Sequence, residues 1–148
     1  MSQQSRITLG CFEIVDFPLF GATGIHAKVD TGAFSGAMDC TDIKVVRRKS
    51  DDKRILKFTP FGEERYRTET DKFRETYVRS AHGHRLRRYI IETEIAVQGI
   101  VYPVSIGITS RSEMKRPVLF GRRFIRENNM LVDVTVNVEL DDEGKKSL

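Results

Sequence analysis

The residues best able to do chemistry stand in one short stretch. Asp30 closes the strand-forming run Ile25–Val29 and is followed at once by Thr31, Gly32, Ala33, Phe34 and Ser35. A carboxylate at a strand end can act as acid or base if its neighbours hold it. Gly32 has no Cβ, so the backbone can turn sharply and come close to the side chain. Its amide can then point at the Asp30 carboxylate, and hydrogen bonds to the ionised form keep that form charged. Thr31 can bridge to a neighbouring backbone through its hydroxyl, and Ser35 can reach the outer oxygen of Asp30. The plain alternative is an Asp-x-Gly turn at a strand end, a common use of these residue types.

A second set of side chains could bind metal: His26, Asp39, Cys40, His82 and His84. Zinc takes three or four ligands in tetrahedral array. His82 and His84 lie two apart, which would point them the same way on a strand, but Gly83 between them makes a solvent-facing turn the better reading. No His-Glu-x-x-His is present, and no third ligand stands at a recognisable spacing. No metal site is therefore expected. A Walker-type glycine-rich loop is also absent, so no nucleotide cofactor is expected either.

The stretch Val29-Asp30-Thr31-Gly32-Ala33, with Ser35 two residues on, resembles the active-site turn of retropepsin-like aspartic peptidases. Ala27-Lys28 before it narrows the likeness to a bacterial family long labelled ATP-dependent zinc proteases. Some members of that family are associated with a ribosomal-protein glutamate ligase. Two more stretches look like the same family: Arg116-Pro117-Val118-Leu119-Phe120-Gly121-Arg122-Arg123-Phe124, and Ser80–Arg85 followed by Arg88 and an apolar strand. The likeness runs from about Ile7 to about Val134, and two ordered motifs about ninety residues apart are more specific than three residues alone.

The resemblance implies a mostly β fold, a closed acid-protease barrel with one short helix. It implies catalysis by Asp30 with Thr31 and Gly32, support of that turn by Ser35 and Gly121, and a substrate groove near His84, Arg85 and Arg88. Such peptidases need two carboxylates at one site. Like charges that close do not both ionise easily, so one keeps a proton while the other activates water. This chain has one Asp-Thr-Gly, since Asp133-Val134-Thr135 lacks the glycine. The dyad therefore requires a homodimer in which a two-fold axis brings the two copies of Asp30 together. A β-hairpin flap should close over the substrate, from either Phe61–Asp71 or the turn around His82-Gly83-His84. Met38-Asp39-Cys40 and Phe120 depart from the family pattern and are expected to alter the pocket.

The elements that must position these residues are mostly strands. Ile7–Phe17 alternates in part and reads as one strand, bent at Pro18. Phe20–Gly24 reads as a turn before Ile25–Val29. Ala37–Lys49 and Arg54–Thr59 carry β-propensity, Glu63–Asp71 has no clear period and reads as a loop, and Lys72–Ser80 reads as a strand. Arg85–Gln98 is the clearest strand, Gln98-Gly99 signals a tight hairpin, and Ile100–Thr109 returns. Ser110–Arg116 could begin a short helix. Val118–Phe120 is a strand, Gly121–Asn128 the one helix, and Met130–Val134 a last strand. Alternation at Val136, Val138 and Leu140 allows a terminal strand, of the kind a dimer interface could use. Many short strands and one helix argue for a mostly antiparallel barrel.

The chain has 148 residues, a length that favours one domain, 1–148, with its core at about 7–134 and a tail from 135. Met1–Gly10 is polar and lacks a signal-peptide core, and no run is long enough to span a membrane, so a cytoplasmic protein is expected. Two cysteines suit a reducing compartment. Twenty-five basic against 21 acidic side chains give a net charge of +4. The clusters Arg47-Arg48-Lys49, Arg85 with Arg87-Arg88, and Arg122-Arg123 with Arg126 could steer an acidic peptide, though charge runs commonly only solvate. Nucleic acid is a poor partner, because no recognition motif accompanies the charge. Two rival readings stand beside the peptidase: a non-catalytic module that binds a peptide or ribosomal partner on the same barrel, and a zinc hydrolase.

Overall fold

A computed structural model of the chain describes residues 6–79, 82–110 and 115–143. Its frame is the pair of long strands that the hydrophobic pattern marks most clearly. Strand β8 (Arg85–Val97) buries Ile91, Thr93, Ile95 and Val97 on one face, and β9 (Ile100–Thr109) buries Val104, Ile106 and Ile108 on the same side. Their antiparallel register runs from Tyr89 opposite Ile108 to Val97 opposite Ile100. Gln98 and Gly99 both have positive φ, 52° and 79°. That is the primed two-residue turn whose twist suits a hairpin.

Four further strands close this pair into a barrel: β2 (Phe12–Phe17), β3 (Ala22–Val29), β4 (Ala37–Arg47) and β10 (Val118–Phe120). The circuit is β10-β3-β2-β8-β9-β4 and back to β10. Two of its six joints are parallel, β10 with β3 and β4 with β9, and the rest are antiparallel. Closure gives each barrel strand a neighbour on both sides, although β2 meets β8 at a single register pair, Asp16 with Ala96. The interior is a single apolar cluster that includes Leu9, Val15, Phe17, Ala27, Met38, Ile106, Val118 and Phe120.

The outer half of β4 leaves the barrel after Asp39 and pairs with β5 (Arg54–Pro60), which in turn pairs with β6 (Thr68–Thr70). The bend falls at a register shift between Thr41 and Lys44, with Asp42 at φ 52°. Phe17, Phe20, Phe58, Phe61 and Tyr66 form a chain of ring contacts, at centroid separations of 5.5–6.3 Å, that fastens this ribbon down. The Glu63–Asp71 segment, expected as a loop, is therefore partly ordered: a 3-10 turn at Glu64–Tyr66 leads into β6. Strand β7 (Phe73–Arg79) then pairs with β8 from Ile91 out to Arg85.

Several boundaries differ from the sequence reading. Ile7–Phe17 is two strands, β1 (Thr8–Leu9) and β2, split at Gly10. A Cβ on Gly10 would lie 2.2 Å from the Val136 carbonyl oxygen, so the chain passes directly under its own C-terminal segment there. The turn expected at Phe20–Gly24 is shorter, because β3 already begins at Ala22. The last strand is only β11 (Leu131–Val132), parallel to β1. The terminal strand allowed at Val136–Leu140 does not form; Val138–Leu140 is a 3-10 turn. The one helix, α1, is Arg122–Glu127, with Gly121 at its N-cap. Of the helix considered at Ser110–Arg116, residues 111–114 lie outside the described residues.

Candidate active site

Strand β3 delivers Asp30 to the end of the barrel, where two backbone bonds fix the approach. The Val29 amide donates to the Cys11 carbonyl at 2.8 Å, and the Asp30 amide to the Phe120 carbonyl at 2.8 Å. The chain then turns, with the Ala33 amide donating back to the Asp30 carbonyl at 3.2 Å. Inside the turn the Gly32 amide donates to Asp30 Oδ1 at 2.9 Å. The carboxylate is thus oriented by backbone and stands half-buried at the rim, with Thr31 and Gly32 exposed beside it. This is the arrangement the Asp-x-Gly spacing implies.

The turn is locked from behind by the chain that follows β10. The Arg122 amide donates to the Ala33 carbonyl at 2.7 Å, and the Arg123 amide to the Phe34 carbonyl at 3.0 Å. Arg122 also donates a guanidinium N–H to the Gly32 carbonyl at 3.0 Å and lies over the Phe34 ring at 5.5 Å. Gly121 makes this contact possible: a Cβ there would stand 2.4 Å from the Phe34 carbonyl oxygen and 2.7 Å from that of Ser35. Gly36 does the same on the other side, where a Cβ would meet the Leu119 carbonyl oxygen at 2.8 Å. The sequence marked Gly121 and Arg122 only within the stretch that resembles the family, and did not mark Gly36. Their signal is contact between distant backbones, which has no local period.

Other candidates stand elsewhere. Ser35 is exposed, and among the described residues its hydroxyl makes no hydrogen bond to Asp30. His84, Arg85 and Arg88 all belong to the β7–β8 hairpin. Arg88 lies nearest the turn: its Cδ is 3.3 Å from a Cβ built on Gly107, whose amide donates to the Gly36 carbonyl at 3.1 Å. His84 and Arg85 are exposed at the outer end, where the Arg85 guanidinium lies over Tyr77 at 4.3 Å. Of the two flap regions, Phe61–Asp71 is pinned through buried Tyr66 and β6, whereas the β7–β8 hairpin runs past the end of β9.

Of the departures at Met38, Asp39, Cys40 and Phe120, Asp39 is half-buried and the other three do not line a groove. All three side chains are fully buried, and Phe120 stacks on Phe124 at 4.8 Å. Burial, with the neighbouring Asp39 charge, pushes the Cys40 thiol well above its ordinary value, against a hydrogen bond from the Phe61 backbone. His26 stands 3.3 Å from a guanidinium nitrogen of Arg116, far along β3 from the turn. Among the described residues no three His, Cys, Asp or Glu side chains gather to hold a metal ion, and no helix is long and apolar enough to cross a membrane. Both cysteines are free.

The chain is 26% identical over 143 residues to a probable alpha-L-glutamate ligase of Shewanella pealeana, covering 95% of this chain and 31% of that protein. A protein of the same name from Desulfotalea psychrophila is 22% identical over 152 residues, covering 100% of this chain and 32% of the relative. The chain thus spans about a third of the length of the curated relatives it matches. Among solved structures, a Legionella pneumophila protein of unknown function superposes with a TM-score of 0.66 at 23% identity, over 89% of this chain and 96% of that one, and shares the fold. A family model described as the retropepsin-like aspartic endopeptidase RimB matches residues 8–141. With the closed barrel and the braced Asp30 turn on one scaffold, the chain belongs to the RimB-like family of retropepsin-like domains.

Proposed function

We propose that this chain is one half of a homodimeric aspartic endopeptidase. The observation that carries the proposal is the Asp30 turn, with its carboxylate held by the Gly32 amide at 2.9 Å and its backbone bonded to the segment after β10. A second copy related by a two-fold axis supplies the second carboxylate. One Asp30 accepts a proton from the lytic water while the other, protonated, donates to the scissile carbonyl oxygen. The resulting tetrahedral intermediate collapses as a proton passes to the leaving amine. Thr31, exposed beside the dyad, is available to the partner's backbone.

The substrate class we propose is an acidic peptide. Supporting it, the β7–β8 hairpin carries Arg74, Arg79, Arg85, Arg87 and Arg88, and Arg79 stands directly opposite Arg85 in the ladder. Like charges placed opposite one another are unfavourable, and a carboxylate bound between them would offset that repulsion. The name of the relatives, glutamate ligase, fits a substrate bearing glutamates. The hairpin serves as the flap, closing over the peptide and excluding water.

The test is cleavage of glutamate-rich peptides by the purified dimer. Asp30→Asn should lower kcat by at least about a thousandfold while the protein stays folded and dimeric. Activity retained in that variant, or lost on chelation alone, would reject the carboxylate mechanism. A dimer that binds the peptide without cutting it would leave a binding module on a peptidase barrel.

A further inference from the structure

The strand that delivers Asp30 is gripped by the far end of the chain. β3 lies between β2 and β10. Residues 133–142, expected from the sequence as a tail, follow β11 and are folded by short bonds of their own. The Val136 amide donates to the Asp133 carbonyl at 3.1 Å, the Leu140 amide to the Asn137 carbonyl at 3.0 Å and the Asp141 amide to the Val138 carbonyl at 3.1 Å. This strap then touches the chain on both sides of β3.

On the β2 side the contact is Asn137. Its side-chain amide donates to the Phe12 carbonyl at 3.1 Å and to Glu13 Oε2 at 2.5 Å. The same carboxylate oxygen accepts from the Gly10 amide at 2.8 Å, and Gly10 lies directly against the Val136 carbonyl. Gly10, Phe12 and Glu13 are thus all set by the strap. Cys11 stands among them, and its carbonyl accepts from the amide of Val29, the residue before Asp30, at 2.8 Å. On the other side the contact is Arg116, two residues ahead of β10. Its guanidinium donates to the Leu140 carbonyl at 2.7 Å and pairs with Asp142 at 3.5 Å. It also lies over the Phe12 ring of β2 at 4.5 Å and stands 3.3 Å from His26 Nδ1 on β3. One side chain therefore reaches from the start of β10 across β3 to β2. Its Nε is buried and has no hydrogen-bond partner among the described residues, an unfavourable feature that the other contacts must outweigh.

We propose that Asn137 and Arg116 are positioning residues for Asp30, and that residues 133–142 form part of the scaffold of the reaction. The proposal rests on the reading of Asp30 as the reacting carboxylate. Asp30 is approached through two backbone bonds, from Val29 to Cys11 on the β2 side and from Asp30 itself to Phe120 on β10. The strap ties the first of these to the second: Asn137 fixes the segment that carries the Cys11 carbonyl, and Leu140 and Asp142 hold Arg116 at the head of β10. Neither residue touches the carboxylate. Each acts by keeping β2, β3 and β10 in one register at the end where Asp30 emerges, and misplacement of a reacting group by about 1 Å is enough to cost much of a rate.

Amide hydrogen exchange of the full chain, read by mass spectrometry of its fragments, tests this without relying on activity. Asn137→Gly removes the side-chain donor while keeping a residue that accepts the φ of 59° at this position. Arg116→Lys keeps the charge and removes the planar fork that reaches several partners at once. Each should speed exchange over residues 27–33 at least about tenfold and leave residues 100–109 of the β8–β9 hairpin as protected as in wild type. Unchanged exchange over 27–33 in both variants overturns the proposal. So does an equal rise over both segments, which would give the strap a merely structural role. Where wild type cleaves peptide, each variant should lower kcat about tenfold with KM nearly unchanged; a rise in KM alone counts against positioning. A wild-type chain that cleaves nothing rejects the peptidase reading, and the exchange result then decides the grip on β3 by itself.

Discussion

A methyl group added at Gly121 would stand 2.4 Å from the Phe34 carbonyl oxygen, and backbone on both sides would have to move. Gly121→Ala is therefore expected to destabilise the fold by about 2–3 kcal/mol and to lower cleavage further, because the displaced segment carries the Asp30 turn. Thermal unfolding alongside peptide cleavage would check both. Cys40 makes a different residue-scale prediction. Its thiol is fully buried and pushed up by that burial and by Asp39, and the thiolate is the reactive form. Alkylation of native protein followed by mass spectrometry should leave Cys40 unmodified until denaturant is added. Modification of Cys40 in folded protein would show that the core opens readily.

At the scale of elements, the turn from β4 to β5 is held by Arg48 and Asp51. The side-chain hydrogen bond from Arg48 lowers the Asp51 carboxyl to about 2 from an ordinary 3.8. A carboxyl depressed by folding adds stability above its unfolded value and loses it as pH falls through its folded value. The difference in melting temperature between wild type and Asp51→Asn should therefore be full above about pH 4 and vanish near pH 2. A difference that grew on acidification would contradict the pairing. The β7–β8 hairpin carries the second element-scale prediction. Arg79→Glu with Arg85→Glu should raise KM for glutamate-rich peptides about tenfold and leave neutral peptides nearly unchanged. Equal loss on both would mean that the arginines serve the hairpin's structure rather than the substrate.

At the scale of the whole molecule, the proposed dyad exists only when two chains meet. Specific activity should fall on dilution through the dimer dissociation constant, in step with dissociation followed by sedimentation. Excess Asp30→Asn chain mixed with wild type should suppress activity by forming mixed dimers that hold one competent carboxylate. Activity of a proven monomer would remove the basis for the two-chain site.

The strands and the Asp30 turn are legible in the sequence alone, because both are written locally. Alternation at Ile91, Thr93 and Ile95 against Val104, Ile106 and Ile108 requires a shared buried face. Gln98-Gly99 specifies its turn, and the two-residue spacing of Asp30 and Gly32 specifies the amide that holds the carboxylate. What braces that turn, and where the chain's end goes, emerges only from contacts between segments distant in sequence. Val136, Val138 and Leu140 alternate as a strand does, yet Asn137 adopts a left-handed conformation, and its side-chain amide donates to the Phe12 carbonyl at 3.1 Å and to Glu13 Oε2 at 2.5 Å. Glu13 is buried, and its acceptor capacity must be met wherever a donor can reach it. That demand arises on β2 and outweighs the local period at the far end of the chain. Gly121 and Gly36 follow the same physics: backbones distant in sequence meet at contact distance, and no window of neighbouring residues records the meeting.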